Sequence, residues 1–201
     1  MPFDLTRLQK CLMSLSALKR FLEDALRPAK SIPRQDLRES LASYLLICVH
    51  SFDQEWKRLS GMGKDDAEIR RTLELASPLV KRIRRWKGLA KLRSRVLAHE
   101  PYDKDSMELV DLREYFGEGK APTEFWEAVL LAECAVWAIA IAITRHEAEQ
   151  EAAKRIIYAD GPHRIPPCGV SSEEDLQAEM DAFKRDLLSD SPDLAVMFPA
   201  S

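Results

Sequence analysis

Apolar residues recur every three or four positions along most of this 201-residue chain, and no convincing alternation marks a strand. The clearest run is Leu5, Leu8, Leu12, Leu15, Leu18 and Leu22, which share one face of a helix. A chain patterned this way has stripes to bury, and stripes are buried by packing helix on helix. Leu, Ala, Glu, Arg and Lys dominate, and only 7 glycines are present. The hydrophobic fraction of 46% is enough for a substantial core and sets disorder aside. The fold class read from this is all-α: an up-and-down bundle of four to five helices with an additional C-terminal helix.

Punctuation sets the expected boundaries. Pro28 and Pro33 bracket a break after the first helix. A second helix runs from about Gln35 to Leu59, and Ser60-Gly61-Met62-Gly63-Lys64 reads as a turn. Asp65 and Asp66 suit the start of a third helix, since acids favour helix N-termini. Pro78 allows a kink or a fresh start, and the fourth helix then reaches His99. Pro101 biases Glu100 away from helical geometry and closes it there. Tyr102 to Lys120 is polar and partly irregular. Pro122 and Thr123 open a long helix through Glu147, at its longest to Tyr158. DGPHRIPPCG is a linker by composition, and Ser171-Ser172-Glu173-Glu174 starts a last amphipathic helix to about Leu188. The organisation read from this is a bundle over residues 1–159, then linker, helix and tail over 160–201.

Several function classes recede. AVLLAECAVWAIAIAI, Ala128 to Ile143, falls short of the roughly 20 residues a bilayer needs, and Glu133 interrupts it. It reads as a buried helix, with no membrane partner. The N-terminus lacks the basic start and apolar block of a secretory signal. Cys11, Cys48, Cys134 and Cys168 form no CxxC pair and fit free thiols in a reducing cytosol, hence a cytoplasmic protein. There is no glycine-rich phosphate loop and no GxSxG. His146-Glu147-Ala148-Glu149 is not HExxH and reads as a surface helix end. His50 and Cys48 read as core packing, His163 as linker, and the four tryptophans as buried. No metal and no cofactor are expected.

Between Glu74 and Glu100 there is no acid. Lys81, Arg82, Arg84, Arg85, Lys87, Lys91, Arg93 and Arg95 give that window +8, so the formal charge of −3 leaves −11 for the rest. The run reads two ways: a solvated face or one paired with acids on another helix, or a face that attracts phosphates. The residues near its end favour the second. Arg93 lies four after Leu89 and three before Val96, at the border of the apolar stripe, where packing holds its stem. Arg95 shares a face with His99, and exposed carbonyls at a helix end favour a protonated imidazole. Guanidiniums that neutralise a phosphate beside an imidazole that moves a proton suit phosphodiester chemistry.

Arg93-Ser94-Arg95-Val96-Leu97-Ala98-His99 resembles the signature of HEPN domains, an Arg followed after four to six residues by a His. It is most similar to the abortive-infection-type members, in which Arg-Asp/Asn-Lys-x-x-Ala-His closes a helix. SFDQEWKRL and the segment from Pro78 to Trp86 share the look of these bundles. The resemblance covers about Leu37 to Ile143, and its specific part is the Arg–His segment. It implies a helical bundle that dimerises, with the Arg and His of both chains in one cleft. It also implies a metal-independent endoribonuclease of a defence or toxin–antitoxin setting, with an antitoxin or regulatory protein as a further partner. Other members bind nucleotides or act as inactive scaffolds, so the alternative is a non-catalytic module that binds nucleotide, RNA or a protein. Carried over, Arg93 is the phosphate-binding arginine and His99 the catalytic histidine. Ser94 stands where the family often has Asn or Asp, a hydroxyl in place of an amide. Toxin-type members often carry a Tyr two residues after the His, where this chain has Pro101.

The expected site follows. His99 exchanges the proton and Arg93 meets the growing negative charge. Ser94, Arg95, Lys91 and Arg85 extend the contact along the RNA backbone. Tyr102 is placed to stack on a base, with loop packing as its alternative. A two-fold dimer would double this small site.

Overall fold

The computed structural model describes residues 4–29, 31–89, 122–159 and 172–190. The chain divides into two compact units, Met1–Ala159 and Asp160–Ser201. Among the described residues the first unit holds five helices: α1 (Arg7–Ala29), α2 (Gln35–Met62), α3 (Ala67–Arg84), α4 (Phe125–Arg145) and α5 (Glu147–Ile157). The second holds α6 (Glu173–Asp190). The fold is an all-α bundle, and no strand occurs among the described residues.

The helices start where side chains can satisfy free backbone N–H groups. At α1, Thr6 Oγ1 accepts from Gln9 N at 3.1 Å and Gln9 Oε1 accepts from Thr6 N at 3.0 Å, a reciprocal capping box. At α3, Asp66 accepts from Glu68 N at 2.8 Å and Ile69 N at 3.0 Å. At α6, Ser172 Oγ accepts from Asp175 N at 3.0 Å. α2 runs three residues beyond the expected end at Leu59, so Gly61 is helical. The turn instead falls at Gly63, where a Cβ would meet Leu73 Cδ1 at 2.8 Å. A larger residue there would make the Leu73 side chain shift.

α4 organises the first unit, because α1, α2 and α3 all pack on it. By length and composition it is long and apolar enough to cross a membrane, and 56% of its most apolar stretch is buried within the bundle. Ala128, Leu131, Ala132, Ala135, Ala138, Ile139 and Ala142 are buried on it. They join a core with Leu12, Leu15 and Leu22 of α1, Phe52 and Trp56 of α2, and Val80 and Ile83 of α3. Burying each large aliphatic or aromatic side chain contributes about 1.5–3 kcal/mol. Cys11, Cys48 and Cys134 are buried free thiols. Trp126, Leu130 and Trp137 stay exposed on the outer side of α4, which corrects the expectation that every tryptophan is buried. α6 exposes Leu176, Met180 and Phe183 at helical spacing.

Two long helices of the sequence reading are broken. The helix expected to continue to His99 stops at Arg84, and Trp86 to Gly88 form a turn. Pro78, the residue expected to interrupt it, lies inside α3. The helix expected to run from Thr123 to at least Glu147 bends at His146, which has φ −116° and ψ 34°. Beyond the bend α5 packs on α1, where Gln150 Nε2 donates to Ser16 Oγ at 2.6 Å and Gln9 Nε2 donates to Glu149 Oε2 at 3.0 Å.

His146 is therefore not a surface residue. It is buried, and its Nε2 lies 3.0 Å from Oγ1 of the fully buried Thr72. With the hydroxyl proton directed to Glu68 O at 3.0 Å, His146 donates to Thr72 from Nε2. Burial holds the imidazole below its ordinary pKa of 6.5; Asp66, Glu68 and Glu149 oppose this, and Arg145 adds to it. A depressed folded-state pKa in a base means that the unfolded chain takes up its proton first. Stability from His146 is thus complete above about pH 6.5 and is lost as the pH falls below it. Thermal midpoints measured between pH 7.5 and pH 5 should fall for the wild type. The fall should be shallower for His146→Gln, which keeps an N–H donor and does not titrate; equal slopes would show that His146 carries none of it.

Candidate functional site

Of the residues expected to act on substrate, Arg85 is described. Lys91, Arg93, Ser94, Arg95, His99 and Tyr102 lie outside the described residues. What the structure gives is the surface from which that segment departs. The turn at Trp86–Gly88 ends α3.

Trp86, Arg82 and Glu127 fix that turn. Arg82 Nη2 reaches Glu127 Oε1 at 2.6 Å and Oε2 at 2.7 Å, and Trp86 Nε1 donates to Oε1 at 2.7 Å. Glu127 sits in the first turn of α4, where an acid also suits the helix N-terminus. Its side chain is 17% exposed and that of Arg82 30%. Arg82 Nη1 is buried without a hydrogen-bond partner among the described residues. Arg82 therefore depends on Glu127 for its compensation.

Arg84 is partly compensated. Its Nε donates to Asp53 Oδ1 on α2 at 2.8 Å, and Lys57 Nζ lies 2.7 Å from Oδ2. Burial pushes the Asp53 carboxyl up, but the hydrogen bonds from Lys57 and Arg84 outweigh it and hold the group below its ordinary value. The +8 window is thus not a uniform free field: Arg82 and Arg84 pair with acids that lie 45 and 31 residues away in sequence. For those two the reading that holds is a face paired with acids on other helices.

Lys81, Arg85 and Lys87 are exposed and form no ion pair with any described residue. Arg85 closes α3, its N–H bonded to Lys81 O at 3.1 Å. With Lys81 and Arg84 it rims a groove of about 480 Å³ between α2 and α3, whose floor is Trp56, Leu73 and Val80 and whose sides include Ser60 and Ser77. On the other side of Arg84 is a hollow of about 150 Å³ lined by His50, Asp53, Lys57, Trp86, Lys87 and Leu89 among others. Two openings that share one arginine, each lined by more bases than acids, make this end of the α2–α3 face cationic. Asp53 and Lys57 were not picked out by the sequence reading, and Lys87 entered it only as one base of the acid-free window. The signal for the first two is the i, i+4 spacing of Asp53 and Lys57 on one helix face, which predicts a local pair.

Among the described residues no group of three His, Cys, Asp or Glu side chains gathers closely enough to hold a metal ion. Comparison with known proteins finds no matching family model, no matching curated protein and no matching solved structure.

Replacing Glu127 by Gln should lower the unfolding free energy by about 1–3 kcal/mol, because it leaves a mostly buried guanidinium facing a neutral partner. At this chain length that is a loss of several degrees in thermal midpoint. An unchanged melting curve would show that the Arg82–Glu127–Trp86 cluster does not hold the turn.

Proposed function

We propose that this protein is a HEPN-like endoribonuclease that binds single-stranded RNA on the cationic end of the α2–α3 face and cleaves it without a metal. What carries the binding half is the surplus of cation over acid there: Lys81, Arg85 and Lys87 remain uncompensated by described acids after Glu127 and Asp53 have taken Arg82 and Arg84. Fixed positive charge of this kind attracts a polyanion even on a chain whose net charge is −3. The catalytic half rests on the resemblance of Arg93–His99.

In the reaction the 2′-hydroxyl loses its proton to His99 and its oxygen bonds to the adjacent phosphorus. The P–O5′ bond breaks, and the leaving oxygen takes a proton, giving a 2′,3′-cyclic phosphate and a 5′-hydroxyl. Arg93 stabilises the charge that grows on the phosphoryl oxygens. A second copy would complete the site, and the exposed apolar side of α4, with Trp126, Leu130 and Trp137, supports association of chains. A defence or toxin setting in the cytoplasm, with an antitoxin or regulator, belongs to the same reading.

The second reading is a non-catalytic module that binds nucleotide, RNA or a protein. Ser94, a hydroxyl where an amide is common in the family, favours it.

Purified protein incubated in EDTA with single-stranded RNA should yield fragments ending in 2′,3′-cyclic phosphate. His99→Ala and Arg93→Ala should each slow this by about 10²–10⁴-fold. If the folded wild type cuts no RNA yet binds it with steep salt dependence, the non-catalytic reading replaces the enzymatic one. Sedimentation at micromolar concentration should give a dimer.

A further inference from the structure

The hollow beside Arg84 has a construction that the groove lacks. α2 places His50, Asp53 and Lys57 at spacings of three and four, so all three share one face. The end of α3 supplies Arg84, and the turn after it supplies Lys87. Val49, Ile83, Trp86 and Leu89 complete the lining with apolar surface.

The orientation of Arg84 is the informative detail. Asp53 takes its Nε at 2.8 Å, and neither Nη1 nor Nη2 donates to any described residue. A carboxylate that binds one edge of a guanidinium fixes its plane and leaves the opposite fork of N–H groups for another acceptor. That fork matches two oxygens of a phosphate. The side chain of Arg84 is 44% exposed, so an incoming group can reach it. Lys57, Arg84 and Lys87 against the one carboxylate of Asp53 leave a net charge of +2. The volume of about 150 Å³ has room for a phosphate group.

We propose that this hollow is a phosphate subsite: it seats one phosphate group of a bound nucleotide or RNA strand. Arg84 Nη1 and Nη2 grip two phosphate oxygens, and Lys87 supplies the second cation. Asp53 holds Arg84 in place and does not touch the ligand. The inference deepens the RNA-binding reading and rests on it for the source of the phosphate. It adds a contact outside the Arg93–His99 segment, on Arg84 of α3 and Lys87 of the turn that follows it.

The test is binding of a fluorescent 2′-O-methyl oligoribonucleotide, which has no 2′-hydroxyl to attack, to the full chain in EDTA. Wild type, Arg84→Gln, Lys87→Glu and the control Arg27→Gln are compared; Arg27 is an exposed residue of α1 outside the hollow. Lys87 is exposed and without a described ion-pair partner, so its variant should fold, which melting curves check. Arg84→Gln and Lys87→Glu should each weaken binding about tenfold at low salt and reduce the salt slope by about one, with Arg27→Gln within twofold of wild type. Competition by 5′-AMP, sensitive to the same two substitutions, identifies a free nucleotide as the phosphate source. RNA binding without such competition identifies the strand. Both outcomes support the subsite. Wild-type affinity in folded Arg84→Gln and Lys87→Glu, with RNA cleavage intact, overturns the subsite alone. Equal losses in all three variants, Arg27→Gln included, also overturn it, since charge anywhere would then suffice. A wild type that binds neither RNA nor 5′-AMP overturns both this inference and the function proposed above.

Discussion

Burial of α4 is the constraint from which the rest of the first unit follows. α1, α2 and α3 must all reach this helix, and its sequence lets them. Ala128, Ala132, Ala135, Ala138 and Ala142 are almost wholly buried, and short side chains at those positions allow neighbouring backbones to come close. Leu131 and Ile139 fill the space left between them. A helix spent on packing in this way has little room for polar groups along its length. The important one, Glu127, sits in the first turn, where the N-terminal dipole favours it and where Arg82 and Trp86 can reach it. Apolar burial thus sets where α4 lies, and one acid at its start sets how α3 ends.

The two breaks have a common physical form. At Trp86–Gly88 and again at His146, a polar side chain turns inward to a partner on another helix, and the main chain bends at that place. The indole N–H of Trp86 finds Glu127, and the imidazole of His146 finds Thr72. A buried donor without a partner costs free energy comparable to a lost hydrogen bond, so the tertiary partner outweighs the propensity of the flanking residues to continue the helix. The first bend sets where α3 ends. The second turns α5 back onto α1.

Helical periodicity, the capping residue Asp66 and the start at Ser172 were legible because they depend on neighbours within a few positions. The all-α class was legible for the same reason. The breaks were not, because their causes lie far away in sequence: nothing near Trp86 announces Glu127, and nothing near His146 announces Thr72. Pro78, the visible signal, was misleading, since α3 runs straight through it. Gly88, which lies in the turn, was not weighed as a break. Of the expected site, Arg85 lies exposed beside a groove, while the other six residues lie outside the described part of the chain. The charge count of the basic window was legible, and pairing with another helix was one reading of it; which acids do the pairing was not, because Asp53 and Glu127 lie far away in sequence.

That neutralisation separates two arginines that look alike in sequence. Arg82 and Arg84 are two residues apart, and each meets one carboxylate. Arg82 directs Nη2 at both oxygens of Glu127, and its Nη1 is buried. Its charge is consumed inside the bundle and serves the fold. Arg84 meets Asp53 with Nε alone and stays 44% exposed, so its two terminal nitrogens keep no acceptor among the described residues. The edge of the guanidinium that an acid occupies decides whether the residue is a strut or a ligand. An acid embedded in a basic surface is then no contradiction of anion binding. By holding Lys57 and Arg84 together it offsets their mutual repulsion, and it spends only one of the positive charges that an arriving phosphate would meet.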